Sequence, residues 1–355
     1  MGSELDANQE KIKELPNEAA GESEQERPQP ADEPILTIRG DDILNSMRRT
    51  IDILESDDTA RGDLKILSRT LRELRYAFKV FRDYRRRRKA TVFGSARTEP
   101  QHPTYLAAVE LGRQLAEHGW MVITGAGGGI MEAGMIGAGR EQSMGLNIML
   151  PFEQQANDVI EGDPKLVTLK YFFTRKLMFV KETSAVICLP GGFGTLDETL
   201  ETLTLLQTGK QTMLPVVLLD SPDGNYWQDF GRFVHRELLR NRLISDEDLA
   251  LYKITGSVDE AIREVMHFYK RYHSMRYVKD DLVLRLSSPL SPESLDQLNR
   301  EFADILVSGQ ITQQSALPEE RSEPDLQDQP RLVLYFNRRN SGRLRMLIDQ
   351  VNSLG

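Results

Sequence analysis

The chain has 355 residues, enough for one large domain with appendages or for two domains. Its 45 Lys and Arg against 54 Asp and Glu give a formal net charge of −9, which argues against general nucleic-acid binding. A single Cys, Cys188, excludes an intrachain disulfide framework and a Cys-based zinc cluster. No apolar run approaches the roughly 20 residues of a bilayer span, and the first residues lack the apolar stretch of a secretory signal. No membrane association and a cytoplasmic location are therefore expected.

Residues 1–40 read as an acidic tail. Positions 1–34 hold ten acidic and three basic residues with Pro16, Pro28, Pro30 and Pro34, and almost no large apolar side chains. Such a segment does not bury enough surface to offset its ordering entropy, so disorder is expected there. Residues 41–89 read as a helical arm. Ile43, Leu44, Met47, Ile51 and Leu54 form one apolar stripe, and after a break Leu64, Leu67, Leu71, Leu74, Phe78 and Phe81 follow a 3-4-3-4-3 spacing on one face. Packing on the body of the same subunit and a short dimerising coiled coil both fit this stripe; the first is favoured, because a coiled coil needs three to four heptads. The run Arg85–Lys89 closes the arm, where positive charge suits a helix C-terminus.

From residue 90 to 278 short apolar strands alternate with helical patterns. Ala90–Phe93, Met121–Thr124, Gly145–Leu150, Val167–Tyr171, Ser184–Leu189 and Leu214–Leu219 are the strands. Between and after them lie helical patterns over Tyr105–Gly119, Ile130–Glu141, Thr174–Thr183, Leu196–Thr208, Trp227–Arg240 and Val258–Tyr272. Buried strands of five or six residues in such alternation predict an α/β fold: a doubly wound, Rossmann-like parallel sheet with helices on both faces. Residues 279–355 restart as a small C-terminal α/β lobe. Its strands are Leu282–Leu286 and Leu332–Phe336, its helices Ser291–Val307, with Ser291 as cap, and Ser341–Leu354, and a polar linker runs over 310–330.

In an open α/β sheet, ligands bind beyond the carboxyl ends of the strands. Three loops fall there: Gly94–Arg97, Gly125–Gly129 and Pro190–Thr195. Pro190-Gly191-Gly192-Phe193-Gly194-Thr195 places three glycines in four positions before a helix, with Thr195 as the expected cap. Free amides at a helix start favour phosphate. The loop is not a Walker A motif, and Gly125–Gly129 is not a dinucleotide fingerprint, so a single mononucleotide phosphate is the better fit. Glu198 and Glu201 share a helix face three residues apart; a capping box between Thr195 and Glu198 is the plainer reading of the first of them. Arg175 and Lys176 stand at a helix start, where cations oppose the helix dipole, so something other than helix stability is expected to hold them. No metal cluster and no cofactor motif is visible.

Pro190–Glu198 resembles the PGGxGTxxE signature of the LOG (Lonely Guy) family of cytokinin riboside 5′-monophosphate phosphoribohydrolases. The resemblance runs from Val92 to Gly209 through Phe93-Gly94-Ser95-Ala96, Gly125–Ala133 and Phe173–Met178, four motifs in one order. It implies an N-glycosidase that splits AMP or a cytokinin riboside 5′-monophosphate into free base and ribose 5-phosphate. It also implies Arg175 and Glu198 as catalytic residues. The substrate would be held by Ser95, Gly127, Gly128, Gly129, Glu132, Lys176, Gly191, Gly192, Gly194, Thr195 and Glu201, with no cofactor. Met131, Met178 and Phe193 are candidates to line the base, although a core role fits each Met as well. A homodimer or higher homo-oligomer is implied too. The competing reading is a non-catalytic nucleotide sensor or a protein like the molybdenum-cofactor carriers. A lysine decarboxylase, an old label of the family, lacks a convincing lysine for pyridoxal phosphate here.

Overall fold

A computed structural model describes residues 40–150, 155–221, 223–321 and 323–354. The acidic tail expected over residues 1–40 lies, apart from Gly40, outside them. The chain divides into two compact units, one ending at Asp58 and the other running from Thr59 to the C-terminus. In the first, α1 (Asp41–Ser56) follows Gly40, and none of its residues is buried.

The second unit opens with α2 (Arg61–Arg82). This helix turns Glu73, Ala77 and Phe81 inward, with Leu74 packed on the same core, whereas Leu64, Leu67 and Leu71 stay exposed. Body packing is thus what the lower half of the stripe does. The helix ends at Arg82, short of the arginine run, and Lys89 already belongs to the first strand.

Seven parallel strands follow: β1 (Lys89–Phe93), β2 (Met121–Thr124), β3 (Ser143–Ile148), β4 (Leu166–Leu169), β5 (Ala185–Cys188), β6 (Val216–Leu219) and β7 (Lys253–Thr255). Their order is β4-β3-β2-β1-β5-β6-β7. The chain winds outward from β1 to one edge, returns to pair β5 with the other side of β1, and winds to the opposite edge. Alternate strand residues feed two cores. On one face Ala90, Val92, Val122 and Ile187 pack under α3 (Pro103–Glu117), α4 (Ile130–Ala138) and α8 (Val258–Phe268). On the other, Phe93, Ile123, Leu146 and Cys188 meet α2, α5 (Phe172–Glu182), α6 (Phe193–Gln207) and α7 (Tyr226–Phe233). This is the doubly wound α/β sheet expected from the sequence, with helices on both faces.

Several elements depart from expectation, among them the helix expected over Ser291–Val307, which ends at Glu301. The helix predicted over Val258–Tyr272 ends at Phe268, and Tyr272–Val278 is a strand, β8. The rings of Phe268, Tyr269 and Tyr272 pack edge to face and stacked, which continues the apolar spacing across a change of backbone geometry. The helix predicted over Trp227–Arg240 becomes a π turn from Val234 to Leu239.

β8 forms an antiparallel sheet with β9 (Asp281–Leu286), β10 (Thr312–Gln314) and β11 (Arg331–Leu334), in the order β10-β11-β9-β8. α9 (Pro292–Glu301) starts at a Ser291 cap that accepts from the Ser294 amide, as expected, and α10 (Ser341–Ser353) closes the chain. Residues 310–330 contribute β10 and two single-turn helices, at Pro318–Glu320 and Pro324–Leu326. They are held by the fully buried Glu320, which takes hydrogen bonds from Arg285 at 2.6 Å and Arg331 at 3.0 Å. No helix among the described residues is long and apolar enough to cross a membrane.

Candidate active site

Winding reverses between β1 and β5, and a crevice opens beyond the carboxyl ends of these two strands, the position that doubly wound sheets use for ligands. The loops that leave them lock together: the Ser95 amide donates to the Pro190 carbonyl at 3.1 Å, and the Leu189 amide to that of Phe93 at 2.8 Å. From behind, the Ile130 amide donates to the Ser95 carbonyl at 3.0 Å. That approach needs Gly129, whose φ is +61° and whose missing Cβ would press on the Ser95 oxygen and lie 2.6 Å from the Ala96 carbonyl carbon.

α6 begins at Phe193 with Gly192 as its cap, not at Thr195. Glycine at the cap leaves no side chain to satisfy the amides of Phe193 and Gly194, and both residues line the crevice, whereas the Thr195 amide donates to the Gly192 carbonyl. Thr195 sits in the first turn and is buried. The capping box expected between Thr195 and Glu198 is not formed, because both residues lie one turn deeper in the helix than that motif requires.

Ser95, Arg175, Gly191, Gly192, Gly194, Thr195 and Glu198 line one cleft. Gly127, Gly128, Gly129, Glu132, Lys176 and Glu201 do not. The Gly127–Gly129 turn supports the Ser95 loop from behind, and the Asn157 side chain donates to the Gly127 carbonyl at 2.9 Å. Glu132 accepts from the Tyr105 hydroxyl at 3.4 Å. Met131 and the almost fully exposed Phe193 reach the cleft, whereas Met178 is wholly buried in the core.

Glu198 is 9% exposed and lies between the cleft and a small closed void that the Thr91 side chain also lines. Burial pushes its carboxyl above the usual range, and the charge of Glu201 adds to this against the pull of Lys176. Lys176 Nζ lies 3.3 Å from Glu198, 2.9 Å from Asp197 and 2.7 Å from Glu201. Burial works against the ammonium charge of Lys176, but these acids outweigh it and hold its pKa above the ordinary value. Arg175 donates from Nε to the Leu146 carbonyl at 2.8 Å and packs 5.2 Å from the Phe179 ring. Its guanidinium is thereby fixed in the cleft wall. Burial lowers its pKa, while the charge of Glu198 acts in the opposite direction. Cys188, behind this wall, is pushed up to about 12 by burial and takes a hydrogen bond from the Thr199 hydroxyl, so its thiol is no nucleophile at neutral pH.

Three neighbours were not singled out as site residues from the sequence. Arg97 lines the mouth of the cleft, and the Gly94–Arg97 loop was the signal for it. Asp197 faces Lys176 from beside Glu198. The Tyr226 hydroxyl donates to the Gly191 carbonyl at 2.8 Å and steadies the glycine loop from α7, a contact that no motif announces.

Gly191 is the least replaceable part of this loop. A Cβ there would press on the Thr195 hydroxyl, 2.8 Å from Thr195 Cβ and 3.0 Å from the Ser95 nitrogen. Gly191→Ala is expected to cost about 1–3 kcal/mol of stability, which thermal unfolding reads.

The fold and its cleft define a doubly wound α/β protein with a glycine-lined crevice at the switch point of its sheet. Residues 128–265 match the family described as "Possible lysine decarboxylase". The chain is 33% identical over 126 residues to a probable cytokinin riboside 5′-monophosphate phosphoribohydrolase of Oryza sativa subsp. japonica, across 34% of this chain and 49% of that protein. It is 28% identical over 167 residues to a cytokinin riboside 5′-monophosphate phosphoribohydrolase of Mycobacterium marinum, across 46% of this chain and 87% of that protein. The resemblance to the LOG family read from the motifs is matched by these relatives. Against the rice protein the chain spans about half the relative's length. A solved molybdenum cofactor binding protein of Rippkaea orientalis aligns over 50% of this chain and 94% of its own, at 22% identity and a TM-score of 0.34.

Proposed function

We propose that the chain hydrolyses the N-glycosidic bond of a nucleoside 5′-monophosphate, AMP or a cytokinin riboside 5′-monophosphate, to free base and ribose 5-phosphate. The carrying observation is the pairing, in one cleft, of an amide-rich helix start with a single buried carboxylate one turn further along the same helix. The 5′-phosphate sits against the Gly191–Thr195 loop and Ser95, with the Gly127–Gly129 turn closing the wall behind and Arg175 orienting the ribose. As the bond from C1′ to the base nitrogen breaks, its electron pair leaves with the base, and positive charge grows on C1′ and the ring oxygen. The Glu198 carboxylate stabilises that charge and takes a proton from the attacking water, whose oxygen bonds to C1′, while the departing base takes up a proton from solvent and Glu198 then releases its own to solvent. Lys176 holds Glu198 from the side and is itself held by Glu201, and Glu132 braces the start of α4 against Tyr105.

Product analysis tests the reading. Purified protein is incubated with AMP, the other nucleoside monophosphates and isopentenyl-adenosine monophosphate, with Glu198→Gln alongside. Free base and ribose 5-phosphate in equal amounts, absent from the variant, support it; binding without turnover across the panel overturns it in favour of a sensor or carrier.

Phe172 and Phe193 line the cleft and are exposed, and Phe173, Leu177 and Leu200 on the same two helices, α5 and α6, are exposed as well. Such a patch suits burial against a second copy of the chain, and a homo-oligomer is part of this proposal. Sedimentation equilibrium is expected to give at least twice the 40.4 kDa chain mass, and a monomer with full activity would refute it.

A further inference from the structure

The start of α5 is unfavourable by its own sequence. Tyr171 at the cap makes no side-chain hydrogen bond and the first turn holds no acid, yet Arg175 and Lys176 place two cations there. The missing anion comes from α2. Glu73 is 6% exposed; its Oε1 accepts from the Lys170 amide at 2.9 Å and from Arg69 Nε at 2.7 Å, and its Oε2 accepts from the Thr174 hydroxyl at 2.8 Å. Thr174 is fully buried and directly precedes Arg175. An ordinary surface pair between Arg69 and Glu73 along one helix would account for neither the burial nor the two bonds to a segment about a hundred positions away. α2 also lies outside the stretch, residues 128–265, that matches the family.

Resting on the hydrolase reading, we propose that Glu73 is a positioning residue: through it α2 clamps the first turn of α5 and so sets Arg175 in the cleft wall. The clamp ties the residue just before the cap and the Thr174 hydroxyl to one side chain, and sets a negative charge near the positive end of the helix dipole. Arg175 then meets its Leu146 carbonyl partner from a fixed backbone. The appended helix is therefore part of the machinery of the cleft, and its contribution is made at a distance from any substrate.

The test compares the full chain with Glu73→Ala, Glu73→Gln and Leu298→Ala, the last a core truncation under the antiparallel sheet that controls for general loss of stability. Hydrogen exchange over residues 170–176 and steady-state kinetics with AMP are both read. Glu73→Ala is expected to exchange faster there and to lose roughly ten- to hundredfold in kcat/KM. Glu73→Gln, which keeps an acceptor for the Lys170 amide, stays within about threefold of wild type by the same geometric reasoning. Leu298→Ala lowers Tm but leaves exchange at α5 and kcat/KM unchanged. Unaltered exchange in Glu73→Ala, or faster exchange with unaltered kcat/KM, overturns the proposal, as does an equal kinetic loss in Leu298→Ala. If wild type turns over no nucleotide, the hydrolase reading alone fails. The clamp is then judged by exchange together with the Kd for ribose 5-phosphate, which a tenfold weakening in Glu73→Ala supports and an unchanged value refutes.

Discussion

Glu198→Gln lowers the turnover of a nucleoside monophosphate by roughly 10²- to 10⁴-fold, with substrate affinity changed far less. The other acids nearby are poor substitutes: Asp197 is drawn to Lys176 at 2.9 Å, and Glu201 is tied to the same ammonium at 2.7 Å. The pH profile carries the same signature. In the proposed hydrolysis Glu198 acts as a carboxylate, and burial raises its pKa, so protonation is expected to stop turnover at a higher pH than it would for an ordinary glutamate. The acid limb of kcat against pH therefore lies above the usual carboxylate range and disappears from the residual rate of the variant.

Stability moves the other way. A carboxyl whose folded pKa is raised destabilises the fold at pH values above that pKa, and the penalty is relieved as the pH falls through it. Glutamine removes the charge while Lys176 keeps two acid partners. At neutral pH the inactive variant is expected to melt about 2 °C higher than wild type, a trade of stability for activity that differential scanning calorimetry measures.

The second large effect lies in the antiparallel sheet. Arg285 and Arg331 stand directly opposite each other on β9 and β11, a pairing of like charges that destabilises a sheet by itself. Both guanidinium groups are out of solvent, and Glu320 neutralises them from one side: Oε1 takes two hydrogen bonds from Arg285, at 2.9 and 2.6 Å, and Oε2 one from Arg331 at 3.0 Å. Glu320→Ala leaves the buried Arg331 without a carboxylate and Arg285 with Glu323 as its remaining acid, and is expected to cost about 3–5 kcal/mol, read as a lower midpoint of urea unfolding. Burial raises the Glu320 pKa, but the hydrogen bonds from Arg331 and Arg285 outweigh it and hold the carboxyl below its ordinary value. Its contribution is therefore present above the unfolded pKa and is lost as the pH falls through the folded one.

Most of the parallel sheet was legible because strands covered on both faces are largely apolar, as Met121–Ile123 and Ala185–Cys188 are. β7 went unread: Lys253-Ile254-Thr255 is three residues with no apolar run, and pairing with β6 makes it a strand. Residues 310–330 read as a linker because their composition is polar, and the carboxylate that orders them finds its partners only in the folded chain. In the cleft, the glycine loop, Ser95, Arg175 and Glu198 were legible as motifs, and the sheet brings them together. The start of α6 was misplaced at Thr195 because a threonine is a recognisable cap and a glycine gives no side-chain signal. The helical periodicity of α2 was visible, but the buried role of Glu73 depends on a segment about a hundred positions away.

The sheet order also governs the sequence in which the molecule can assemble. β1 meets β2 across about thirty residues but meets β5, through Ala90 and Ala185, across about ninety, and closing the longer loop costs about 1 kcal/mol more. One edge of the central strand is thus satisfied by early, shorter-range pairing, while its other edge waits for a segment synthesised much later. The cleft is the gap between those two pairings. A refolding chain is expected to pair β1 with β2 before β5 closes on β1, and that longer closure brings the Gly191–Thr195 loop to Ser95.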